Sequence, residues 1–219
     1  MPLDPPTPII YPITSGATTA QITSEDQPFL NILQLLRAAV AAEVPLFQIR
    51  EKALHARVLY ELTARAAEIT RGSKTRLLVN DRSDIARAAG ADGVQLTAES
   101  LPPSVVRQIY GPEFLIGVST HSFETALAAS KSGADFVVFG PVFETESKRA
   151  YGAPQGLQKL RVVADELRGF PVIAIGGITI ENAASCFAAG ASGIAAIRLL
   201  NDAANLASIV EKLRDGFNA

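Results

Sequence analysis

The chain has 219 residues, 48% of them hydrophobic, and a formal net charge of −2 from 20 basic and 22 acidic side chains. This length suits one α/β barrel or two small domains, and the hydrophobic fraction is ample for a large core. The even charge balance and the lack of long apolar runs argue against a nucleic-acid partner and against a membrane span.

The cysteine content and the N-terminal residues bear on the compartment. Cys186 is the single cysteine, so no internal disulfide can form, which fits a reducing cytosol. Residues 1–8 are rich in proline and lack the basic and apolar regions of a signal peptide. We therefore expect a cytoplasmic protein with a short N-terminal arm at 1–8.

Short aliphatic runs alternate with segments of helical periodicity along the rest of the chain. The pattern predicts strands at residues 9–14, 46–50, 76–79, 93–96, 114–118, 136–139, 172–175 and 193–197, and helices at 29–43, 54–70, 83–89, 102–110, 123–132, 157–167, 179–189 and 201–215. Continuously apolar strands are typical of parallel sheets that are covered on both faces. Eight such units predict an α/β fold, a single-domain (β/α)8 TIM barrel over residues 9–219, with an open doubly wound sheet as the alternative.

Three segments of the sequence resemble one another, at residues 88–94, 132–137 and 188–194. Each contains a glycine, Gly90, Gly133 or Gly190, between a helical pattern and the next strand. We interpret each segment as a helix end, a glycine cap and a short turn into a strand.

The stretch from Val172 to Ile178 combines a buried strand with the pair Gly176-Gly177 and the start of a helical pattern. Bare glycine amides at a helix N-terminus are well suited to bind an anion, above all phosphate. A tight strand–helix turn that binds nothing is the alternative interpretation.

Polar side chains gather where the predicted strands end. They are Gln48, Arg50 and Lys52, then Asn80 and Asp81, then Ser119 and His121, and finally Thr145, Ser147 and Lys148. The strand starts carry mainly glycine, alanine and turn residues instead. Because the carboxyl ends of barrel strands meet at one mouth, where active sites of this fold lie, this asymmetry predicts an enzyme.

The chemistry of these side chains points to phosphorylated ligands. Arg50, Lys52 and Lys148 can form a cationic pocket for more than one phosphate. Asp81 can bind Mg²⁺ that bridges phosphate oxygens, or it can cap the following helix. His121 can act as a general acid or base.

Several pieces of the chain, in order, resemble the thiamine phosphate synthase/TenI family. They are QIREK (48–52), VNDRSDIA (79–86), GADGVQL (90–96), GVSTHS (117–122), GADFVVFGPVFETESK (133–148) and AIGGI (174–178). The resemblance implies a (β/α)8 barrel that couples hydroxymethylpyrimidine pyrophosphate with thiazole phosphate, forming thiamine phosphate and pyrophosphate.

The resemblance also implies roles for individual residues. Gln48, Arg50, Lys52, Asn80 and Lys148 are expected to hold the pyrophosphate, Asp81 to bind Mg²⁺, Ser119 to lie near the pyrimidine, and Thr145, Ser147 and Gly177 to contact the thiazole phosphate. The expected partners are these small phosphorylated substrates, and a homo-oligomer is left open.

Three positions depart from the synthase pattern that the resemblance implies. Ser100 stands where a second carboxylate ligand for Mg²⁺ is usual, so the metal depends on Asp81. Gln95 replaces a usual histidine. Arg198 replaces a small phosphate-binding serine, where it can bind phosphate or fill the space that the substrate needs.

These departures keep two alternatives open beside the synthase. One is a TenI-type thiazole tautomerase, a metal-free proton-transfer enzyme in which His121 is the acid/base. The other is a non-catalytic protein that binds phosphorylated ligands. Lys52, Asn80 and Asp81 favour the synthase, since a tautomerase has no pyrophosphate for them to neutralise.

Overall fold

The computed structural model describes residues 8–145 and 153–218. The arm predicted at residues 1–8 therefore lies almost entirely outside the described residues. The strands are β1 (Ile9–Pro12), β2 (Leu46–Ile49), β3 (Arg76–Asn80), β4 (Gly93–Leu96), β5 (Leu115–Thr120), β6 (Phe136–Phe139), β7 (Val172–Ile175) and β8 (Gly193–Ala196). The helices are α1 (Gln27–Ala41), α2 (Ala56–Thr70), α3 (Ser83–Ala88), α4 (Pro103–Tyr110), α5 (Phe123–Lys131), α6 (Gly156–Glu166), α7 (Ile180–Ala188) and α8 (Leu206–Asn218).

All eight strands are parallel and lie in one sheet in the order β1-β8-β7-β6-β5-β4-β3-β2. The sheet closes between β1 and β2 through a bridge from Ile13 to Gln48, where the Thr14 amide donates to the Gln48 carbonyl at 3.0 Å. The predicted (β/α)8 barrel is therefore confirmed, and the open doubly wound sheet is wrong.

Two apolar layers hold the barrel together. Alternate strand residues point inward, among them Ile9, Tyr11, Leu78 and Phe136, and form a core inside the barrel. The residues between them face outward and pack against the ring of helices in a larger core. Each strand is thus covered on both faces, which explains its continuously apolar sequence.

The three similar sequence segments form the same turn at the base of the barrel. Gly90, Gly133 and Gly190 have φ angles of 80°, 92° and 90°, as expected of glycine caps. Shortly after two of these caps, Asp92 accepts from the Leu77 amide at 2.8 Å and Asp135 accepts from the Ile116 amide at 2.7 Å. The side chain in the turn therefore satisfies the amide of a neighbouring strand.

The last helix differs from the prediction of 201–215, because α8 begins at Leu206. A 3-10 turn follows β8, and the Asn201 side chain donates to the carbonyls of Ile13 and Ile197, both at 2.6 Å. Asp202 then closes a turn by accepting from the Ala204 amide at 3.0 Å. These side-chain bonds compete with helix formation and delay it.

None of the helices in the described part of the chain combines the length and the apolar character that a bilayer crossing demands.

Candidate active site

Four polar side chains follow the apolar layer on the inner wall of the barrel, toward its carboxyl end. Gln48 donates from Nε2 to Asn80 Oδ1 at 3.3 Å, and Gln95 donates from Nε2 to Ser119 Oγ at 3.1 Å. The strand register places Asn80 beside Gln95 on β3 and β4. The sequence placed Ser119 beyond its strand, but β5 extends to Thr120 and carries Ser119 on the inner wall.

The end of β2 continues this polar wall toward solvent. Gln48 is buried, Arg50 is half-buried and Lys52 is exposed. The Arg50 amide donates to Thr14 Oγ1 at 2.8 Å, which ties the end of β2 to the end of β1. Both cations thus follow the strand end that carries Gln48, as the sequence predicted.

Asp81 adopts a backbone conformation that directs it away from the helix that follows. Its φ angle is +62°, in the left-handed region that Asp tolerates better than most residues. Helix α3 is preceded by Arg82 and has no side-chain cap, so the interpretation of Asp81 as a helix cap is wrong. Instead Asp81 Oδ1 accepts from the Ser100 hydroxyl at 2.5 Å, next to the barrel mouth.

Gly176 and Gly177 follow β7 with φ angles of 100° and 65°. A Cβ on Gly176 would lie 2.5 Å from Pro141 Cβ, and one on Gly177 would lie 2.6 Å from the Glu144 carbonyl oxygen. The loop after β6 therefore packs directly on the glycine pair, and the Phe143 amide donates to the Gly176 carbonyl at 2.9 Å. This close packing is one reason for two glycines here, independent of any anion.

The loop after β6 is described only in part. Thr145 is half-buried, and its hydroxyl is buried without a hydrogen-bond partner in the described residues. Ser147 and Lys148 lie outside the described residues. Arg198 is exposed in the 3-10 turn that follows β8, at the same end of the barrel.

Comparison with known proteins identifies the family. Residues 19–200 match the family model described as thiamine monophosphate synthase. The thiamine-phosphate synthase of Moorella thermoacetica is 41% identical over 84% of this chain and 87% of its own length. That of Chlorobium phaeovibrioides is 43% identical over 80% of this chain and 82% of its own. The chain belongs to the thiamine monophosphate synthase family.

A solved structure agrees with this assignment. The thiamine phosphate pyrophosphorylase of Pyrococcus furiosus superimposes with a TM-score of 0.77 at 32% identity, covering 95% of both chains. The family that the sequence motifs indicated is therefore confirmed.

The positions of the acidic side chains bear on whether a metal ion can bind at the barrel mouth. Among the described residues, no group of three or more His, Cys, Asp or Glu side chains is placed to hold a metal ion. Asp81 is exposed at the mouth, with the Ser100 oxygen beside it. Because Mg²⁺ often takes one or two carboxylates plus substrate phosphates, these residues fit an ion that the substrate helps to hold.

His121 follows β5 and lies at the rim of the mouth. Its Nδ1 donates to the Gly140 carbonyl at 2.5 Å. This bond places the ring proton on Nδ1 and leaves Nε2 as the nitrogen that can accept a proton.

Sequence reasoning missed two buried side chains next to this site. Glu51 is only 3% exposed and accepts from the Gly16 and Thr18 amides and the Thr18 hydroxyl, at 3.0, 3.2 and 2.6 Å. Tyr11 is fully buried and bonds Gln95 at 3.2 Å. A signal existed for Tyr11, because it shares a strand face with Ile9 and Ile13.

Proposed function

We propose that this chain is a thiamine-phosphate synthase. It joins hydroxymethylpyrimidine pyrophosphate to thiazole phosphate and releases pyrophosphate. The family match makes it an enzyme of thiamine biosynthesis, a transferase. The observation that carries the proposal is the grouping of Gln48, Asn80 and Asp81 at the ends of two neighbouring strands at one mouth, with Arg50 and Lys52 after Gln48.

The proposed reaction depends on stabilising a leaving group. The C–O bond to the pyrophosphate breaks, its electron pair leaves with the phosphate oxygen, and the thiazole nitrogen forms the new C–N bond. Arg50 and Lys52 neutralise the charge that develops on the pyrophosphate, while the Gln48 and Asn80 amides orient it. Mg²⁺, held by Asp81, would add Lewis-acid stabilisation of that charge.

The remaining assigned residues complete the proposed substrate sites. Lys148 adds a third cation at the pyrophosphate, and Thr145 and Ser147 contact the thiazole phosphate. Gly176 and Gly177 offer their amides to that phosphate at the start of α7. Arg198 stands at the same mouth, where its positive charge favours a phosphate group.

The small phosphorylated substrates are the proposed partners of this site. A cytoplasmic location and a homo-oligomer stay predictions from the sequence.

One observation favours a second candidate, the thiazole tautomerase. The bond from His121 to the Gly140 carbonyl orients the imidazole and leaves Nε2 available as a base. A tautomerase would transfer a proton on a thiazole carboxylate phosphate without a metal.

The first experiment gives the purified protein both synthase substrates with and without Mg²⁺ and measures thiamine phosphate. We expect product that depends on the metal. Lys52→Ala should reduce turnover by about 10²-fold, since it removes charge that faces the leaving group. The matched control is Lys74→Ala, because Lys74 is also exposed but pairs with Glu43, away from the mouth.

One result would overturn the synthase proposal. It is the absence of coupling together with isomerisation of the thiazole carboxylate phosphate that disappears in His121→Ala, which would establish the tautomerase instead. Normal turnover in Lys52→Ala would refute only the role of Lys52 in the pyrophosphate site.

A further inference from the structure

We propose that Tyr11 and Gln95 form a positioning pair that turns the Ser119 hydroxyl into a hydrogen-bond donor toward the pyrimidine ring. The proposal rests on the proposed function and on the family resemblance, which implies that Ser119 lies near the pyrimidine. It concerns two residues inside the barrel that sequence reasoning assigned to no part of the reaction.

Contacts connect the interior of the barrel to its mouth in a single line. Tyr11 is fully buried and packs edge-on against Phe136, with ring centroids 5.8 Å apart. Its hydroxyl donates to Gln95 Oε1 at 3.2 Å, and Gln95 Nε2 donates to Ser119 Oγ at 3.1 Å. Gln95 is 2% exposed, whereas Ser119 is half-buried and borders the mouth.

The buried phenol determines which way the Gln95 amide points. Burial raises the pKa of Tyr11 well above its usual value, so the phenol keeps its proton. In the described part of the chain, Gln95 Oε1 is the one acceptor of that proton. A reversed amide would direct its NH₂ group at the phenol and leave the buried O–H without an acceptor, which is unfavourable.

The local backbone provides space for this amide. A Cβ on Gly117 would lie 2.3 Å from Gln95 Oε1 and 2.4 Å from Phe136 Cζ. Any larger residue at position 117 would therefore displace the amide or the ring. Gly117 lies directly opposite Gln95 in the pairing of β4 and β5.

The orientation of Gln95 decides what Ser119 can do. Because Gln95 presents its NH₂ group, Ser119 Oγ accepts from it, and the serine proton stays available for another partner. That proton can be donated toward the mouth, where a ring nitrogen of the pyrimidine is a suitable acceptor. The hydrogen bonds from Tyr11 to Gln95 and from Gln95 to Ser119 thus make the Ser119 hydroxyl a donor toward the site.

The donor role of Ser119 predicts which kinetic constants will change when this hydrogen bond is lost. A hydrogen bond to a ring nitrogen withdraws electron density from a ring that becomes cationic in the proposed reaction. It therefore favours binding of the neutral ring and does little for the transition state. We expect its loss to raise the KM for the pyrimidine substrate and kcat by a similar factor, so that kcat/KM stays nearly unchanged.

The test is a double-mutant cycle with Tyr11→Phe, Ser119→Ala and the combined variant, measuring kcat and both KM values. Each single variant should raise the KM for hydroxymethylpyrimidine pyrophosphate by about three- to tenfold, the value of one hydrogen bond. The KM for thiazole phosphate should stay within about twofold of wild type. In the Ser119→Ala background, Tyr11→Phe should have no further effect.

Independent, multiplicative effects of the two substitutions, or equal increases in both KM values, would overturn the positioning pair. If Tyr11→Phe does not fold, Tyr11→Phe with Gln95→Met removes both polar partners and serves in the same cycle. A wild-type protein without coupling activity would refute the proposed function itself. Coupling activity with independent effects would refute the positioning pair alone.

Discussion

Asp81, at the mouth of the barrel, has an uncommon backbone conformation that determines where its carboxylate points. Asp81 holds a left-handed backbone at φ +62°, which moves its carboxylate away from α3 and toward Ser100. A non-glycine residue in this region costs free energy, so the neighbouring backbone must hold it there. The Asp81 amide donates to the Gln95 carbonyl at 2.9 Å, which ties the residue to β4.

Asp81→Asn removes the negative charge of this side chain and keeps the backbone conformation of the residue. Asparagine tolerates the same backbone region, so the fold should be retained. We expect coupling to fall by about 10²- to 10³-fold, because a bound metal supplies several kcal/mol of transition-state stabilisation. Steady-state rates over a Mg²⁺ titration check this, with Asp84→Asn as the control. Unchanged Mg²⁺ dependence in Asp81→Asn would show that another group binds the ion.

At the scale of elements, the loop between β1 and α1 is held by one buried carboxylate. Glu51 follows β2 and accepts three hydrogen bonds from Gly16 and Thr18. A Cβ on Gly16 would lie 3.2 Å from the Arg50 carbonyl oxygen and 3.3 Å from its guanidinium. The loop that Glu51 fixes is therefore the surface against which Arg50 rests.

Glu51→Gln replaces one acceptor oxygen with an NH₂ group that faces a donor. We expect the free energy of unfolding to fall by about 1–3 kcal/mol, and the KM for the pyrophosphate substrate to rise as Arg50 loses its support. Urea denaturation and kinetics measure the two effects. Glu68→Gln, an exposed carboxylate on α2, should change neither. A stable Glu51→Gln variant with wild-type KM would contradict the anchoring of this loop.

The whole barrel divides into a mouth that carries the site and a base that carries stability. At the base, Arg107 of α4 donates to the carbonyls of Gly111, Phe114 and Gly133 and to Asp135, at 2.8, 2.6, 2.9 and 2.7 Å. These bonds join α4 to the starts of β5 and β6. Residues at this end of a barrel are expected to affect folding and not catalysis.

Arg107→Ala should therefore lower the free energy of unfolding by about 2–3 kcal/mol, since it leaves several acceptors without their donor. The KM and kcat of the folded variant should stay within about twofold of wild type. Arg161→Ala, at an exposed position on α6, is the matched control. A loss of turnover in folded Arg107→Ala would contradict the separation of base and mouth.

The order of eight strand–helix units followed from sequence because the apolar runs and glycine caps are local patterns. The motifs from Gln48 to Gly177 indicated the family by themselves, and strand polarity predicted that their polar residues share one mouth. The start of α8 could not be predicted, because Asn201 forms its bond to Ile13 across 188 residues of sequence. Only the tertiary structure decided that Asp81 turns to Ser100, that Glu51 anchors the first loop, and that Tyr11 orients Gln95. Each of these is a hydrogen bond between different strands or loops, and its geometry exists only once the barrel has closed.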